Sequence, residues 1–397
     1  MPELSARVKT FTDSVIRRMT RINNQQPDSI NLSQGFPDFD PPAPVLDRLV
    51  EVAHEGPHQY STTWGAANVR AALADKYAPS FGREIDPDTQ ICVTCGGTEA
   101  MMAAVMTVCD PGDKVIVFSP FYENYGADAI LSGAEAIYVP LEPPDFSFDL
   151  DRLEDAFKQH PKAIIVCNPS NPTGKVFTRE ELTAIGRLAT AYDAFVITDE
   201  VYEHIIYAPA THIPMASLPG MAERTITCNS LSKTYSMTGW RLGFIIGPER
   251  VVEAARKVHD FLTVGAAAPL QEAAVVGLRL GPEYYERLQA LYMHKRNLLC
   301  GGLTDLGYTI SWPQGTYFVM VDVADFLALD QFSGMTDLQF CEWMIREYGV
   351  AAVPGSSFFH EPVNRYIRFH FARGDEILNA ALDRLGRMAQ LLPGAAA

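Results

Sequence analysis

The chain has 397 residues, and its 32 Lys and Arg stand against 48 Asp and Glu, giving a formal net charge of -16. This excess of acid disfavours a nucleic-acid scaffold and a membrane-surface role, because both need clustered basic side chains. At 47% hydrophobic and 20% charged residues, the composition excludes disordered and fibrous proteins and indicates a globular one with core for roughly two or three domains.

Signals for membranes and export are weak throughout the sequence. Even the apolar stretch 265–278 contains Pro269, Gln271 and Glu272, so no run approaches the roughly 20 residues that cross a bilayer. The N-terminus lacks an apolar signal core and is predicted to be an arm. Because the seven cysteines are odd in number and lie mostly in apolar runs, a reducing cytoplasm is the expected location.

In chain order, short apolar runs bounded by turn residues predict buried strands at 91–94, 114–118, 163–167, 195–198, 225–228 and 242–246. Helical patterns separate several of them, and the pattern over 179–192 opens with Thr178 and Glu181 in capping-box spacing. This alternation predicts an α/β fold with a mostly parallel, helix-covered sheet.

After about residue 292, predicted strands within 308–323 and at 366–371 lie among helices, which indicates a second, smaller α+β domain. We therefore predict a large domain over 45–290. The small domain combines 1–44 with 291–397. No Pro- and Gly-rich linker separates them, so the two are expected to be closely joined.

The first candidate site is a glycine pair in segment 94–100 (TCGGTEA), between a predicted strand and a predicted helix. Free backbone N–H groups at Gly97 and Thr98, with the helix dipole, would suit a phosphate. A tight turn that needs glycine explains the segment better when it is taken alone. The segment lacks the patterns of dinucleotide and nucleoside-triphosphate sites.

Two further candidates follow predicted strands, at the edge where α/β proteins bind ligands. Asn171, in segment 168–175 (NPSNPTGK), offers a donor and an acceptor, although ordinary turn chemistry explains it equally well. Asp199, in segment 198–202 (TDEVY), ends an apolar run and needs a basic side chain or a ligand as partner. The alternative for Asp199 is a helix N-cap, which the sequence by itself favours.

The fourth candidate is Lys233, in segment 230–243 (SLSKTYSMTGWRLG), which contains no acidic residue. An amine in a pocket of this kind can have a lowered pKa and attack a carbonyl group. A solvated loop lysine is the commoner alternative for a single residue.

Together the four segments resemble, in order and spacing, the fold-type I pyridoxal 5′-phosphate (PLP)-dependent aminotransferases of class I/II. The likeness is to the kynurenine aminotransferase or glutamine transaminase K group and to bacterial methionine and aromatic aminotransferases. Segments 31–39 (NLSQGFPDF), 81–87 (FGREIDP) and 366–369 (YIRF) extend it over nearly the whole chain. It implies a three-layer α/β/α large domain with a mostly parallel sheet and a smaller α+β domain. Segment 354–358 (PGSSF) is closer to the wider class than to the kynurenine group.

The resemblance also implies roles around the cofactor ring. Lys233 matches the lysine that forms a Schiff base with PLP and later moves protons, and Asp199 matches the carboxylate that pairs with the pyridine nitrogen. Asn171 and Tyr202 match partners of the ring hydroxyl, and Tyr122 matches the aromatic residue that stacks on the ring.

For the phosphate, the resemblance implies a cradle of helix N–H groups, hydroxyls and a guanidinium, formed by Gly97, Thr98, Ser230 and Arg241. Tyr60 matches a tyrosine that reaches the phosphate of the other subunit. A homodimer with shared active sites is therefore expected.

For the substrate, Arg368 matches the arginine that clamps the α-carboxylate by two parallel hydrogen bonds, with Gly35 and Asn171 beside it. The implied reaction is ping-pong transfer of an amino group between an L-amino acid and a 2-oxo acid. No metal is expected. A carbon–sulfur β-lyase, or another eliminating or cyclising enzyme, would keep the same residues and need no oxo acid. A transcription-regulator effector domain is disfavoured by the short N-terminal segment and by the charge.

The side chain of the amino-acid substrate is predicted from one missing arginine and three aromatic residues. No counterpart is found for the second arginine with which aspartate aminotransferases hold a side-chain carboxylate. Phe36, Trp64 and Phe121 lie in motif segments and are candidates for apolar walls, although each by itself could be a core residue. A neutral or aromatic amino acid is expected.

Overall fold

The computed structural model describes residues 2–9 and 14–392. Its helices are α1 (Val15–Asn23), α2 (Ala43–Glu55), α3 (Ala67–Phe81), α4 (Gly97–Val108), α5 (Asn124–Ser132), α6 (Leu150–Phe157), α7 (Arg179–Ala191), α8 (Glu249–Thr263), α9 (Ala268–Leu278), α10 (Pro282–Asp305), α11 (Ala324–Leu327), α12 (Asp337–Tyr348) and α13 (Asp375–Ala389). Its strands are β1 (Ile30–Asn31), β2 (Ile91–Thr94), β3 (Lys114–Ser119), β4 (Glu135–Glu142), β5 (Ser147–Phe148), β6 (Ala163–Cys167), β7 (Phe195–Asp199), β8 (Thr225–Ser230), β9 (Gly243–Ile246), β10 (Thr309–Ser311), β11 (Phe318–Asp322), β12 (Val350–Ala351), β13 (Val353–Pro354) and β14 (Tyr366–His370).

The large sheet has eight strands in the order β2-β9-β8-β7-β6-β3-β4-β5. The pairs from β8 through β7, β6 and β3 to β4 are parallel, whereas β9 is antiparallel to both of its neighbours and β5 is antiparallel to β4. The central strands are almost entirely buried because helices cover both faces, which explains their continuous apolar runs. The predicted mostly parallel sheet is confirmed.

Two apolar clusters hold the layers together. Residues of α4, α5 and α8 pack on one face of the large sheet, and residues of α6 and α7 pack on the other. The predicted capping box starts α7, because the Thr178 hydroxyl accepts the N–H of Glu181 and the Glu181 carboxylate accepts the N–H of Thr178. The three-layer α/β/α arrangement is confirmed.

A second, four-stranded antiparallel sheet has the order β10-β11-β14-β13. β1 pairs in parallel with β12, which joins the N-terminal segment to the C-terminal part of the chain. The domain boundary that we propose at residue 290 falls inside α10. No helix in the described part of the chain is long and apolar enough to cross a bilayer.

Three strands, β3, β7 and β8, are longer than the sequence predicts, and the last two differences matter for the site. β7 continues to Asp199 and β8 continues to Ser230. Asp199 is therefore the last residue of a strand, and the alternative role of helix N-cap is wrong. Tertiary pairing extends the strands, since Asp199 is in register with Cys167 and with Cys228.

Candidate active site

A cavity of about 320 Å³ opens at the carboxyl ends of β6, β7 and β8. Its lining includes all of the predicted site residues except Tyr60, namely Gly35, Gly97, Thr98, Tyr122, Asn171, Asp199, Tyr202, Ser230, Lys233, Arg241 and Arg368. Parallel strands bring their carboxyl ends to one edge of a sheet, so loops that are distant in sequence meet there.

One end of the cavity is the glycine turn at the start of α4. Gly96 has φ 89°, and a Cβ there would lie 2.4 Å from Nη2 of Arg241, so the turn requires glycine. Arg241 is held by a 2.9 Å hydrogen bond from its Nη1 to the carbonyl oxygen of Thr238. Ser230, the last residue of β8, lies beside Gly97. Helix N–H groups, a hydroxyl and a guanidinium together suit a phosphate dianion.

Asp199 lies in the floor of the cavity and is 8% exposed. The hydroxyl of Tyr125 donates to its Oδ2 at 2.7 Å, and the N–H of Val201 donates to its Oδ1 at 3.4 Å. Burial raises the pKa of Asp199, while these two hydrogen bonds and the charge of Lys233 act in the opposite direction. Such a carboxylate is suited to pair with a ring N–H in the cavity.

Lys233 is half-buried between two tyrosines. Its Nζ lies 6.0 Å from the ring centre of Tyr202 and 5.8 Å from that of Tyr317. No salt bridge joins it to an acidic side chain within residues 2–9 and 14–392. Burial raises the pKa of Tyr202 well above its ordinary value, so this hydroxyl keeps its proton and can act as a donor.

Arg368, from β14, is 1% exposed and forms the other end of the cavity. Its Nη1 donates to Oδ1 of Asn171 at 2.6 Å, and its Nη2 donates to the carbonyl oxygen of Ser33 at 3.1 Å. Its Nε has no hydrogen-bond partner among the described residues. Burial lowers the pKa of Arg368 to about 10, which still leaves it protonated at neutral pH. An incompletely paired, buried guanidinium is a receptor for a carboxylate.

Two further predicted residues border this end. A Cβ at Gly35 would lie 2.5 Å from Cε1 of Phe318, so no side chain fits between the N-terminal segment and β11. The Gly35 carbonyl accepts a 3.1 Å hydrogen bond from the hydroxyl of Tyr317. Tyr122 packs edge-on against Tyr125 with ring centres 5.9 Å apart, and burial raises the pKa of Tyr122 to about 12.

The aromatic residues predicted as apolar walls do not line this cavity. Phe36 is covered by the guanidinium of Arg373, 4.5 Å from its ring centre, and Trp64 packs on the core beneath α4. Phe121 stacks on Tyr138 at 5.1 Å. The prediction is wrong for the cavity as one chain forms it. The apolar lining comes instead from Ile16, Met101, Val201 and Phe318.

Tyr60 lies outside the cavity of its own chain and is 88% exposed. It belongs to the loop that precedes α3. An exposed position is required of a side chain that would serve a neighbouring subunit.

Sequence reasoning missed Tyr125 and Phe318. Tyr125 follows Tyr122 by three residues across the turn that starts α5, where its N–H donates to the Tyr122 carbonyl at 3.0 Å, so this spacing was a usable signal for a second tyrosine near the site. Phe318 lies under Arg368, with its ring centre 4.0 Å from the guanidinium carbon, because β11 pairs with β14. No local pattern marks it.

Comparison with known proteins agrees with this geometry. The family model described as aminotransferase class I and II matches residues 27–385. The chain belongs to this family. It is 36% identical to the methionine aminotransferase of Escherichia coli (strain K12) over 365 residues, which cover 92% of this chain and 93% of the relative. It is 34% identical to the human kynurenine–oxoglutarate transaminase 1, with 90% of this chain and 92% of the relative covered.

Among solved structures, the N-succinyldiaminopimelate aminotransferase from Mycobacterium tuberculosis superposes with a TM-score of 0.92 at 34% identity, covering 97% of this chain and 100% of the other. The chain is thus a fold-type I aminotransferase, as predicted. Members of this class depend on PLP and act on amino and 2-oxo acids. The glycine turn against Arg241, buried Asp199 and the free Nε of Arg368 fit PLP and an amino acid.

Proposed function

We propose that this aminotransferase binds PLP and exchanges an amino group between a neutral or aromatic L-amino acid and a 2-oxo acid by a ping-pong mechanism. The observation that carries the proposal is the position of Lys233, in one cavity with a glycine turn suited to a phosphate, a buried carboxylate and an incompletely paired arginine. Each group matches one part of PLP or of an amino acid.

Bound PLP supplies a carbonyl carbon for amines and a ring that accepts electron density. Lys233 would hold it, and Asp199 would keep a proton on the ring nitrogen. Tyr202 and Asn171 would bind the ring oxygen, since the protonated hydroxyl of Tyr202 can donate to it. The N–H of Gly97 would be one donor to the phosphate, together with Thr98, Ser230 and Arg241. Tyr122 would pack against the ring.

The substrate would be held by its α-carboxylate on Arg368, beside Gly35 and Asn171. The guanidinium is buried and rigidly held by two hydrogen bonds, so the pair would form where water competes little. With the substrate carboxylate held in place, the amine of Lys233 can take a proton from the substrate Cα, hold it on Nζ and release it again inside the cavity.

Side-chain selectivity follows from the rest of the lining. Ile16 and Phe318 give apolar surface, while Arg17 and Glu123 bring one charge of each sign. Glu123 also accepts a 2.6 Å hydrogen bond from the hydroxyl of Ser14. Opposite charges give no net attraction for an acidic side chain, which supports a neutral or aromatic substrate.

The test is a half-reaction without oxo acid, followed by the near-visible absorption of the holoenzyme. We expect methionine or phenylalanine to convert the cofactor to its amine form, and aspartate and glutamate to act more slowly. Conversion by acidic amino acids alone would overturn the substrate proposal. Release of ammonia with the absorption band unchanged would instead support a carbon–sulfur lyase or another elimination.

We further propose a homodimer in which Tyr60 completes the phosphate site of the partner subunit. Tyr60 and Phe261 are 88% and 93% exposed, and the loop after Tyr60 touches α8, which carries Phe261. Two large exposed side chains on segments that contact each other offer apolar surface that a partner subunit would cover. Light scattering should give twice the chain mass, and Tyr60→Phe should weaken PLP binding; a monomer with full PLP affinity would contradict this.

We also propose a cytoplasmic location. All seven cysteines are free thiols, and six of them are buried. Free thiols are typical of a reducing compartment. Fractionation of the source cells would test the proposal, and activity found only outside the cytoplasm would overturn it.

A further inference from the structure

A buried carboxylate–imidazole pair lies directly behind the glycine turn. Glu99 is in the first turn of α4, and Nδ1 of His259, a fully buried side chain of α8, lies 2.6 Å from its Oε1. The other carboxylate oxygen, Oε2, accepts the backbone N–H of Cys95, the residue before Gly96. Glu99 therefore holds the turn in place, and His259 holds Glu99.

The second nitrogen of His259 determines how many protons the pair carries. Its Nε2 lies 2.9 Å from the carbonyl oxygen of Thr63, which can only accept, so Nε2 bears a hydrogen. Nδ1 faces a carboxylate oxygen that also accepts the hydroxyl of Thr263 at 3.0 Å, so a proton lies between Nδ1 and Glu99. Whichever atom carries this proton, the pair has no net charge.

The groups around His259 are consistent with one proton shared between Nδ1 and Glu99. Burial disfavours protonation of His259, but the contacts with Glu99 and with the Thr63 carbonyl outweigh it, and nearby Asp260 acts in the same direction as they do. The pKa of His259 is thus raised above its ordinary value. Cys95, which also lies beside Glu99, has a pKa raised mainly by burial and stays neutral.

The net charge of the Glu99–His259 pair affects phosphate binding because Glu99 lies at the N-terminal end of α4. A bare carboxylate in the first turn of α4 would repel a phosphate dianion bound at the same helix end. His259 removes the net charge of Glu99 and leaves its contact with Cys95 intact. We propose that His259 is a positioning residue that neutralises Glu99 and so strengthens binding of the cofactor phosphate, an inference that rests on the proposed PLP function.

The same imidazole reaches the loop that carries Tyr60. Its partner Thr63 lies three residues after Tyr60, and the next residue, Trp64, accepts the N–H of Val93 at 3.0 Å. In the proposed dimer, Tyr60 serves the phosphate of the partner subunit. His259 would then orient donors for both phosphate sites, the turn of its own chain and the loop offered to the other.

The experiment compares PLP with pyridoxal, which has the same ring and aldehyde but no phosphate. Protein freed of cofactor is titrated with each compound and followed by absorbance. In His259→Gln, Glu99 becomes an uncompensated charge, so PLP affinity should fall about tenfold or more, and pyridoxal affinity should change less than about twofold. The double variant Glu99→Gln with His259→Gln should regain PLP affinity, because the amide keeps an acceptor for Cys95 and carries no charge.

Two further variants separate the effect of the Glu99 charge from a general loss of structure. Glu99→Gln alone preserves neutrality with an uncharged imidazole, so its PLP affinity should stay near that of the wild type, and a large loss would overturn the proposal. His212→Gln is the matched control, since it removes another imidazole–carboxylate pair, partly buried, with His212 Nε2 and Glu200 Oε2 2.9 Å apart. Its ratio of PLP to pyridoxal affinity should be unchanged.

Equal losses of PLP and pyridoxal in His259→Gln, without rescue by the double variant, would show a merely structural role. If the wild type binds no PLP, the proposed function fails instead. The effect of inorganic phosphate on the melting temperature of wild type and His259→Gln then still decides the positioning role, because the proposal requires the wild type to gain more.

Discussion

At one end of the cavity, the glycine turn, Ser230 and Lys233 lie on or directly after elements of the large sheet. At the other end, Arg368 comes from the small sheet and is held by Asn171 and by the carbonyl of Ser33, which are 197 and 335 residues away in sequence. The end that we propose for the cofactor phosphate and ring is thus assembled from short segments that each carry their own signal. The carboxylate end depends on three distant segments packing together.

The two ends of the cavity also differ in whether their charged side chains have hydrogen-bond partners within the protein. Asp199 receives hydrogen bonds from Tyr125 and Val201, and Glu99 has His259 as its partner. Arg368 keeps one N–H without a partner among the described residues. The comparison indicates that the carboxylates at the proposed cofactor end are already paired within the protein, whereas the proposed substrate end retains a buried cation that a substrate carboxylate could pair.

The largest effect is expected at the centre, where the two ends meet. Lys233→Ala removes the amine that we propose to hold the cofactor and to move the proton, so kcat should fall about a thousandfold or more with the fold unchanged. Steady-state assays and circular dichroism check this. Lys257→Ala, at an exposed salt bridge on α8, is the control and should be active. Substantial turnover by folded Lys233→Ala would contradict the central assignment.

At the substrate end, Arg368→Lys should raise KM at least about tenfold for every amino acid, since an ammonium cannot replace a planar guanidinium that spans Asn171, Ser33 and a carboxylate. Arg365→Lys is a matched control three residues earlier, because Arg365 is half-exposed and pairs with Asp322. Steady-state kinetics on both variants check the prediction. Equal KM values for wild type and Arg368→Lys would show that the two ends do not differ as described.

Behind the cofactor end, Asp128 is buried, and one of its carboxylate oxygens has no partner in the described structure. Burial, followed by the charge of Asp199, holds the pKa of Asp128 well above its ordinary value. In the unfolded chain it ionises above about pH 4, so its contribution to stability is complete below that pH and is lost as the pH rises towards the folded pKa.

The variant Asp128→Asn has no carboxyl group at this position, so it does not lose stability in this way as the pH rises. Its free energy of unfolding relative to wild type should therefore increase from pH 5 to pH 7, by up to about 1.4 kcal/mol per pH unit. Urea denaturation at both pH values measures the difference. Asp145→Asn, in an exposed turn, should give no such trend, and a constant difference for Asp128→Asn would refute the assignment of a protonated, buried carboxyl group.

The smallest effect is expected from Tyr125→Phe, which removes one donor from Asp199. Because this hydrogen bond lowers the pKa of Asp199, its loss should raise that pKa and move the acid limb of the kcat profile to higher pH. We expect kcat to fall a few-fold, as for about 1 kcal/mol of hydrogen bonding. The control is Tyr138→Phe, which removes the hydroxyl of a tyrosine that does not line the cavity. An identical profile for both variants would contradict the role of Tyr125.

Local patterns were enough for much of the fold. The strands at 91–94 and 163–167 have the predicted bounds, and the capping box at Thr178 starts α7. Apolar runs with strand-forming residues and capping spacings are short-range signals, so each is readable without knowing what packs against it. The family resemblance selected the site residues by motifs rather than by single residues, and the structure brings eleven of them to one cavity.

Tertiary structure decided the remainder. The end of β7 at Asp199, the place of Phe318 under Arg368 and the removal of Phe36, Trp64 and Phe121 from the cavity all follow from pairings between distant segments. The pairing of Glu99 with His259 joins residues 160 apart. The sequence by itself determined which chemical groups this protein has at its strand ends and turns, because those signals are local. Only the packing of sheets and helices decided which groups meet, because burial and hydrogen bonding depend on neighbours that are remote in the chain.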